Sequence, residues 1–265
     1  MRTFDACSDA GEHAFPVEVR VALATLSQRL GDVMLVGSWA RDVCLVLDAG
    51  LDPGRMTDDL DVAVATSSLR ELDERLGELG PRGGHGVRIY VEGVGVDVLP
   101  YGGLASDGIV QTSADSQLDV TCMAEAWRHA DRLHVGDDVV IRTASLPLMV
   151  ALKLVAWDVR SPGTDKDAQD LSRLLQATHQ QGHYLDACYA DPAGERFDWD
   201  PHQVGPFRVG RHLAEELEPR SRDRLVRVLA GDAEGDRLRA VSERFARGSA
   251  MRLDALLEGL TTIPS

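Results

Sequence analysis

The stretch TDDLDVAVA, residues 57–65, constrains the fold most. In a strand the side chains alternate between two faces, so Leu60, Val62 and Val64 share one face and enter a core. Asp59 and Asp61 then stand together on the opposite face, and Asp58 falls on the apolar side at the strand's edge. GVGVDVLP, residues 93–100, repeats the pattern, with Val94, Val96 and Val98 facing one way and Asp97 the other. If these two strands are neighbours, three carboxylates meet on one sheet face. Adjacent carboxylates repel, and a divalent cation is a usual means of keeping both ionised. Such a triad suits two Mg²⁺ ions about 3.5–4 Å apart. The competing reading is an ordinary solvated acidic face, in a chain where 43 of 265 residues are Asp or Glu.

A second feature precedes this pair. LVGSWARDVCL, residues 35–45, reads as the end of a buried strand, a glycine approach and a helix. Free amides and the helix dipole at such a start favour an anion, which makes Gly37 and Ser38 candidate phosphate-binding residues. A plain N-cap explains the same residues. Arg55, in GRMTDD, is a candidate for a nucleotide phosphate or base, or a turn residue.

Hydrophobic periodicity organises the rest. Helices are expected over 15–30, 38–50 and 67–80, the last ending at Gly80, with strands over 32–37 and 59–66. A loop is expected at PRGGHG (81–86), hairpins over 87–103 (turning near Glu92-Gly93) and 132–143, and a short helix near 123–130. From Ser145 onward the pattern is helical, with segments at 145–160, 165–180, 203–217, 220–230 and 236–259. The expected organisation is a mixed-sheet α+β domain over 1–144 and a helical domain over 145–265 that completes the active site.

Composition narrows the setting. The longest apolar runs fall short of a membrane span, and the first residues lack a basic-then-apolar leader, so no membrane partner and a cytoplasmic location are expected. Cys7, Cys44, Cys122 and Cys188 are scattered without a CxxC pair, and the histidines show no ligand spacing, which argues against a disulfide framework or a zinc site. The net charge of −15 argues against a broad nucleic-acid surface but allows a local basic groove, with Arg41, Arg55, Arg160 and Arg173 as candidates. Of 28 basic residues only two are lysine, Lys153 and Lys166. A Lys kept against that bias suits a compact point charge.

In LKLVAWDVRSPGTDKDAQDLSRLL, helical spacing puts Lys153, Trp157 and Arg160 on one side and Leu152, Val155 and Val159 on another. Asp167 and Asp170 share a face of the next helix. A local account is available for these too: Lys166 and Asp170 are an i, i+4 pair, and Asp167 suits a helix start.

LVGSWARDVCL, GRMTDDLDVAV, VDVLPYGG and SLPLMVALKLVAWDVRSPGTDKDAQDLSRLL together resemble the AbiEii-type nucleotidyltransferases of the DNA-polymerase-β-like superfamily, over about residues 30–180. The resemblance implies a polymerase-β-like mixed sheet with flanking helices and a C-terminal helical domain. It implies an enzyme that moves NMP from an NTP to an acceptor with Mg²⁺, and many relatives are toxins of toxin–antitoxin or abortive-infection systems. By the family pattern Gly37 and Ser38 bind phosphates, and Asp59 and Asp61 are metal ligands with Asp97 as the third carboxylate. Lys153 matches a triphosphate ligand and Asp170 a further essential acid, with Asp167 beside it. The acceptor implied is tRNA or protein, with a cognate antitoxin as partner. The alternatives are a small-molecule, aminoglycoside-like nucleotidyltransferase and a non-catalytic nucleotide-binding relative.

Overall fold

A computed structural model describes residues 1–265 except Met56, Asp58, Glu78, 80–87, 114–115, Asp137, Gln181 and 263–265. Asp58, the helix end at Gly80 and the PRGGHG loop therefore lie outside the described residues. The fold is mixed α and β, with a mixed sheet and a helical C-terminal region. The chain divides into two compact units, one of Met1–Asp48 with Arg55–Ser145, the other of Ala49–Gly54 with Leu146–Ser265.

The first unit carries β1 (Thr3–Asp5), α1 (Asp9–Ala14), α2 (Val17–Leu30), β2 (Val33–Leu35) and α3 (Gly37–Asp42). It continues with β3 (Asp59–Ala65), α4 (Leu69–Leu76), β4 (Arg88–Val91), β5 (Val94–Tyr101), β6 (Ile109–Ser113) and β7 (Ser116–Asp119). It closes with α5 (Met123–Arg128), β8 (Asp131–Gly136) and β9 (Val139–Thr143). Seven strands form one sheet in the order β1-β8-β9-β2-β3-β5-β4, while β6 and β7 pair separately. β3 runs parallel to β5 and antiparallel to β2, and the β4–β5 and β8–β9 pairs are antiparallel hairpins.

The core follows the alternation. Leu60, Val62, Val64, Val96 and Val98 are all but inaccessible, as are Leu23 and Leu26 of α2, which lies across the sheet. The β4–β5 hairpin turns at Glu92-Gly93, both at positive φ, which suits a two-residue turn matched to the strand twist. One correction concerns 38–50. The α-helical part ends at Asp42, and Val43–Asp48 widens into a π-helical turn.

The second unit contains α6 (Leu146–Arg160), α7 (Lys166–Ala177), α8 (His183–Ala190), α9 (Pro201–Glu216), α10 (Pro219–Ala230), α11 (Asp232–Phe245) and α12 (Ser249–Thr261), with a 3₁₀ turn at Pro192–Phe197. Asp200 caps α9 through the His202 amide and Pro201 takes the first helical position, so the helix starts two residues earlier than its periodicity implies. The expected helix over 236–259 is two helices. Gly248 adopts a left-handed conformation, and the Glu243 carboxylate accepts hydrogen bonds from the Gly248 and Ala250 amides. α9 and α12 cross closely because Gly210 and Gly259 lack side chains: a methyl group on either would strike the backbone of the other helix.

Candidate functional site: a carboxylate face and a buried ion cluster

Register brings the carboxylates of the first unit together. β3 and β5 pair so that Asp61 stands beside Asp97 and Asp59 beside Gly95. Both strands present these residues on the face opposite their valines. Asp59 and Asp97 keep part of their surface in solvent, with 50% and 26% of their side chains exposed. The Asp61 carboxylate occupies the space that a side chain on Gly37 would fill. Gly37 has a φ of 65°, so the chain needs glycine here twice, for conformation and for room. The backbone fixes the same approach, since the Val36 amide donates to the Asp61 carbonyl at 3.1 Å.

A cation that the sequence reading did not single out sits among these acids. Arg88 on β4 donates to both Asp97 carboxylate oxygens at 2.7 Å, and its Nη2 lies 3.0 Å from Asp59 Oδ1. Bonding to Asp97 above all holds the guanidinium charged. Two of the three carboxylates, Asp59 and Asp97, thus converge on one positive charge.

Gly37, Ser38 and Arg55 are also brought together. Arg55 donates to the Ser38 hydroxyl at 2.9 Å, and Ser38 is buried. The Ser38 hydroxyl is therefore already engaged rather than open at the helix start. Arg41 is wholly buried, donating to Asp42 at 2.8 Å and to the Arg55 carbonyl at 2.9 Å. It ties α3 to Arg55 and cannot line a basic groove, which corrects that expectation. Arg173, in the second unit, donates to the Asp52 carbonyl at 2.6 Å and holds the 49–54 segment.

The remaining predicted residues lie in the second unit and form a cluster of their own. Lys153 Nζ donates to Asp170 at 2.5 Å and to Asp167 at 3.3 Å. Arg160 grips Asp167 from outside with two hydrogen bonds, of 2.8 and 3.1 Å. Lys153, Asp167 and Asp170 are all at least 95% buried. Such a pair persists only because each charge answers another. The expected apolar side of this helix also changes: Lys153 and Trp157 face inward, while Val159 is 55% exposed.

No family model matches this chain, and no curated protein is similar to it. No helix among the described residues is long and apolar enough to cross a membrane.

Proposed function

We propose that the protein is a Mg²⁺-dependent nucleotidyltransferase of the polymerase-β-like kind, joining the NMP of an NTP to an acceptor hydroxyl. The observation that carries this reading is the β3–β5 register, which sets Asp59, Asp61 and Asp97 on one sheet face beside Gly37. The donor set fits a hard divalent cation, since it consists of carboxylate oxygens, two of which, from Asp59 and Asp97, already meet the Arg88 charge. Asp59, Asp61 and Asp97 would hold two Mg²⁺ ions, which when bound neutralise the triphosphate and activate the attacking oxygen.

The chain's own residues supply the rest. The acceptor oxygen attacks the α-phosphorus, the bond to the bridging oxygen breaks, and pyrophosphate leaves. Asp97 takes the acceptor's proton on a carboxylate oxygen. Gly37 lets Asp61 approach the start of α3, and Arg55 orients Ser38 there. Lys153, Asp167 and Asp170 support the reading through their likeness to the family's segment. Their geometry assigns them first to joining α6 and α7, and a phosphate on Lys153 has to compete with two carboxylates.

The family resemblance favours tRNA or protein as acceptor, with a toxin role and a cognate antitoxin. The burial of Arg41 favours the second reading, a small and cationic acceptor, because it removes one cation from the expected RNA groove in a chain of net charge −15. Incubation with Mg²⁺ and each labelled NTP, ATP included, in the presence of total tRNA, cell protein or an aminoglycoside panel distinguishes these. Label on one acceptor class that disappears with Asp61→Asn supports nucleotidyl transfer and names the class. Absence of transfer and of NTP turnover in every arm overturns it in favour of a non-catalytic relative.

A further inference from the structure

At the other end of the same sheet, β1 and β8 pair in parallel with Asp5 opposite His134. The chain leaves β1 through Ala6 and returns Cys7 to the same spot, because the Cys7 amide donates to Asp5 Oδ1 at 2.8 Å. His134 Nδ1 lies 3.2 Å from that same oxygen. One ligand atom each from Asp5, Cys7 and His134 falls within 4.8 Å of the others. We propose that Asp5, Cys7 and His134 form a binding site for a transition-metal dication of the Zn²⁺ type, separate from the carboxylate face of β3 and β5.

Three features carry this. The ligand set is mixed sulfur, nitrogen and oxygen, which suits Zn²⁺ and its neighbours and not Mg²⁺. The spacing fits as well. Oxygen and nitrogen ligands at about 2.0–2.1 Å from a tetrahedral ion stand roughly 3.3 Å apart, and a thiolate at about 2.3 Å stands roughly 3.6 Å from either. The observed 3.2 Å between Asp5 and His134 already meets the first figure, and the Cys7 ligand atom lies within 4.8 Å of both, so closing the site asks for an inward movement of Cys7. The third feature is the surrounding shell. Arg20 donates from Nη1 to Cys7 Sγ at 3.0 Å, and its Nη2 lies 3.5 Å from Glu12. This N–H directed at sulfur is the kind of outer hydrogen bond that orients a metal-bound sulfur, and Glu12 balances the guanidinium charge.

Asp5 and His134 keep 53% and 34% of their side chains exposed, which leaves an entry path and room for water as fourth ligand. Binding releases the thiol proton and exchanges the Asp5–His134 hydrogen bond for two metal bonds. Because β1 is an edge strand of three residues, the ion would staple the sheet's edge.

The sequence hides such a site, since its ligands come from strands 129 residues apart and no CxxC or HxxxH spacing marks them. Titration of the reduced, metal-free full-length protein with Co²⁺ under anaerobic conditions tests it, because a thiolate ligand gives a near-ultraviolet charge-transfer band that carboxylates do not. Cys44, Cys122 and Cys188 are buried and stand apart as thiol ligands. The expected result is one equivalent of Co²⁺ with that band, displaced by Zn²⁺, and a rise in the thermal midpoint with Zn²⁺. Cys7→Ser should abolish the band and His134→Ala should weaken binding by more than the ~10–100-fold that losing an outer partner costs. Far-ultraviolet dichroism of each variant establishes that it folds. Failure to bind Co²⁺ at micromolar concentration, or a band that survives in both folded variants, overturns the proposal.

Discussion

Replacing Lys153 by methionine keeps the length of the side chain and deletes its charge. Asp170 then loses the ammonium 2.5 Å away, and Asp167 keeps Arg160 but loses its inner partner. Both carboxylates are at most 1% exposed, so water cannot replace the ammonium. Breaking a buried pair from one side costs ~3–5 kcal/mol, most of it the penalty of leaving the other charge uncompensated. For a unit of this size each kcal/mol lowers the midpoint by about 3–5 °C, so the helical unit should melt roughly 10–20 °C lower. Two companions sharpen the measurement. Lys166→Ala, on the exposed start of α7, should shift the midpoint by less than about 2 °C. Lys153→Met combined with Asp170→Asn should recover at least half of the loss, because it removes the carboxylate that faced the ammonium. Differential scanning calorimetry and chemical denaturation give the comparison, with NTP turnover followed in parallel. If Lys153→Met melted within about 2 °C of the parent while turnover vanished, the ammonium would be spent on a ligand and the argument from the ion cluster would be refuted.

Three further outcomes are expected. Asp59→Asn and Asp61→Asn should each abolish Mg²⁺-dependent NTP turnover while leaving the thermal midpoint almost unchanged, since a carboxamide keeps the shape and the half-exposed Asp59–Arg88 pair contributes little; retention of most activity by either would remove it from the metal set. Gly37→Ala should be destabilised by at least ~1–2 kcal/mol from its left-handed backbone alone, and it should lose turnover because the new methyl group displaces the Asp61 carboxylate; normal turnover would show that Asp61 does not act from this position. Burial, with the neighbouring His202 and Arg252 adding to it, lowers His179 to about 4. The unfolded chain then binds the extra proton between pH 6.5 and 4, so stability present above pH 6.5 is lost as pH falls through that window, on the order of 3 kcal/mol. His179→Gln, which keeps an acceptor for the Arg252 Nε–H, should flatten that slope, and an unchanged slope would place its origin elsewhere.

The carboxylate face was legible because a strand has a period of two and leaves no freedom: once Leu60, Val62 and Val64 must be buried, Asp59 and Asp61 follow. The helix α6 was legible in extent and misread in orientation. Periodicity set Lys153, Trp157 and Arg160 on one side of the helix and Leu152, Val155 and Val159 on a different, apolar side. In the fold α6 buries residues around most of its circumference, Lys153 included, because Asp167 and Asp170 on α7 neutralise it. A side chain's polarity is a property of its partners as well as of its atoms, and those partners come from another helix. The break between α11 and α12 was hidden for a related reason. Gly248 marks it, but the Glu243 carboxylate that receives the freed amides shows no signal of its own in a helical pattern.

Arg88 differs from these cases, because the sequence contained enough to find it. A two-residue turn at Glu92-Gly93 fixes the register of the hairpin, pairing Val91 with Val94 and, three steps outward, Arg88 with Asp97. Cross-strand partners on one face lie side by side, so a cation opposite a carboxylate is an ion pair by geometry alone. β5 then hands the pair on to β3, where Asp61 stands beside Asp97 and Asp59 comes within 3.0 Å of the same guanidinium. Asp59 and Asp97 are therefore held by a charge from their own sheet, one that a metal at this face would have to displace. Turnover under the proposed function requires that guanidinium to give way, so metal binding at this face should be weaker than three open carboxylates allow, and Arg88→Ala should tighten it while leaving the β3–β5 register in place.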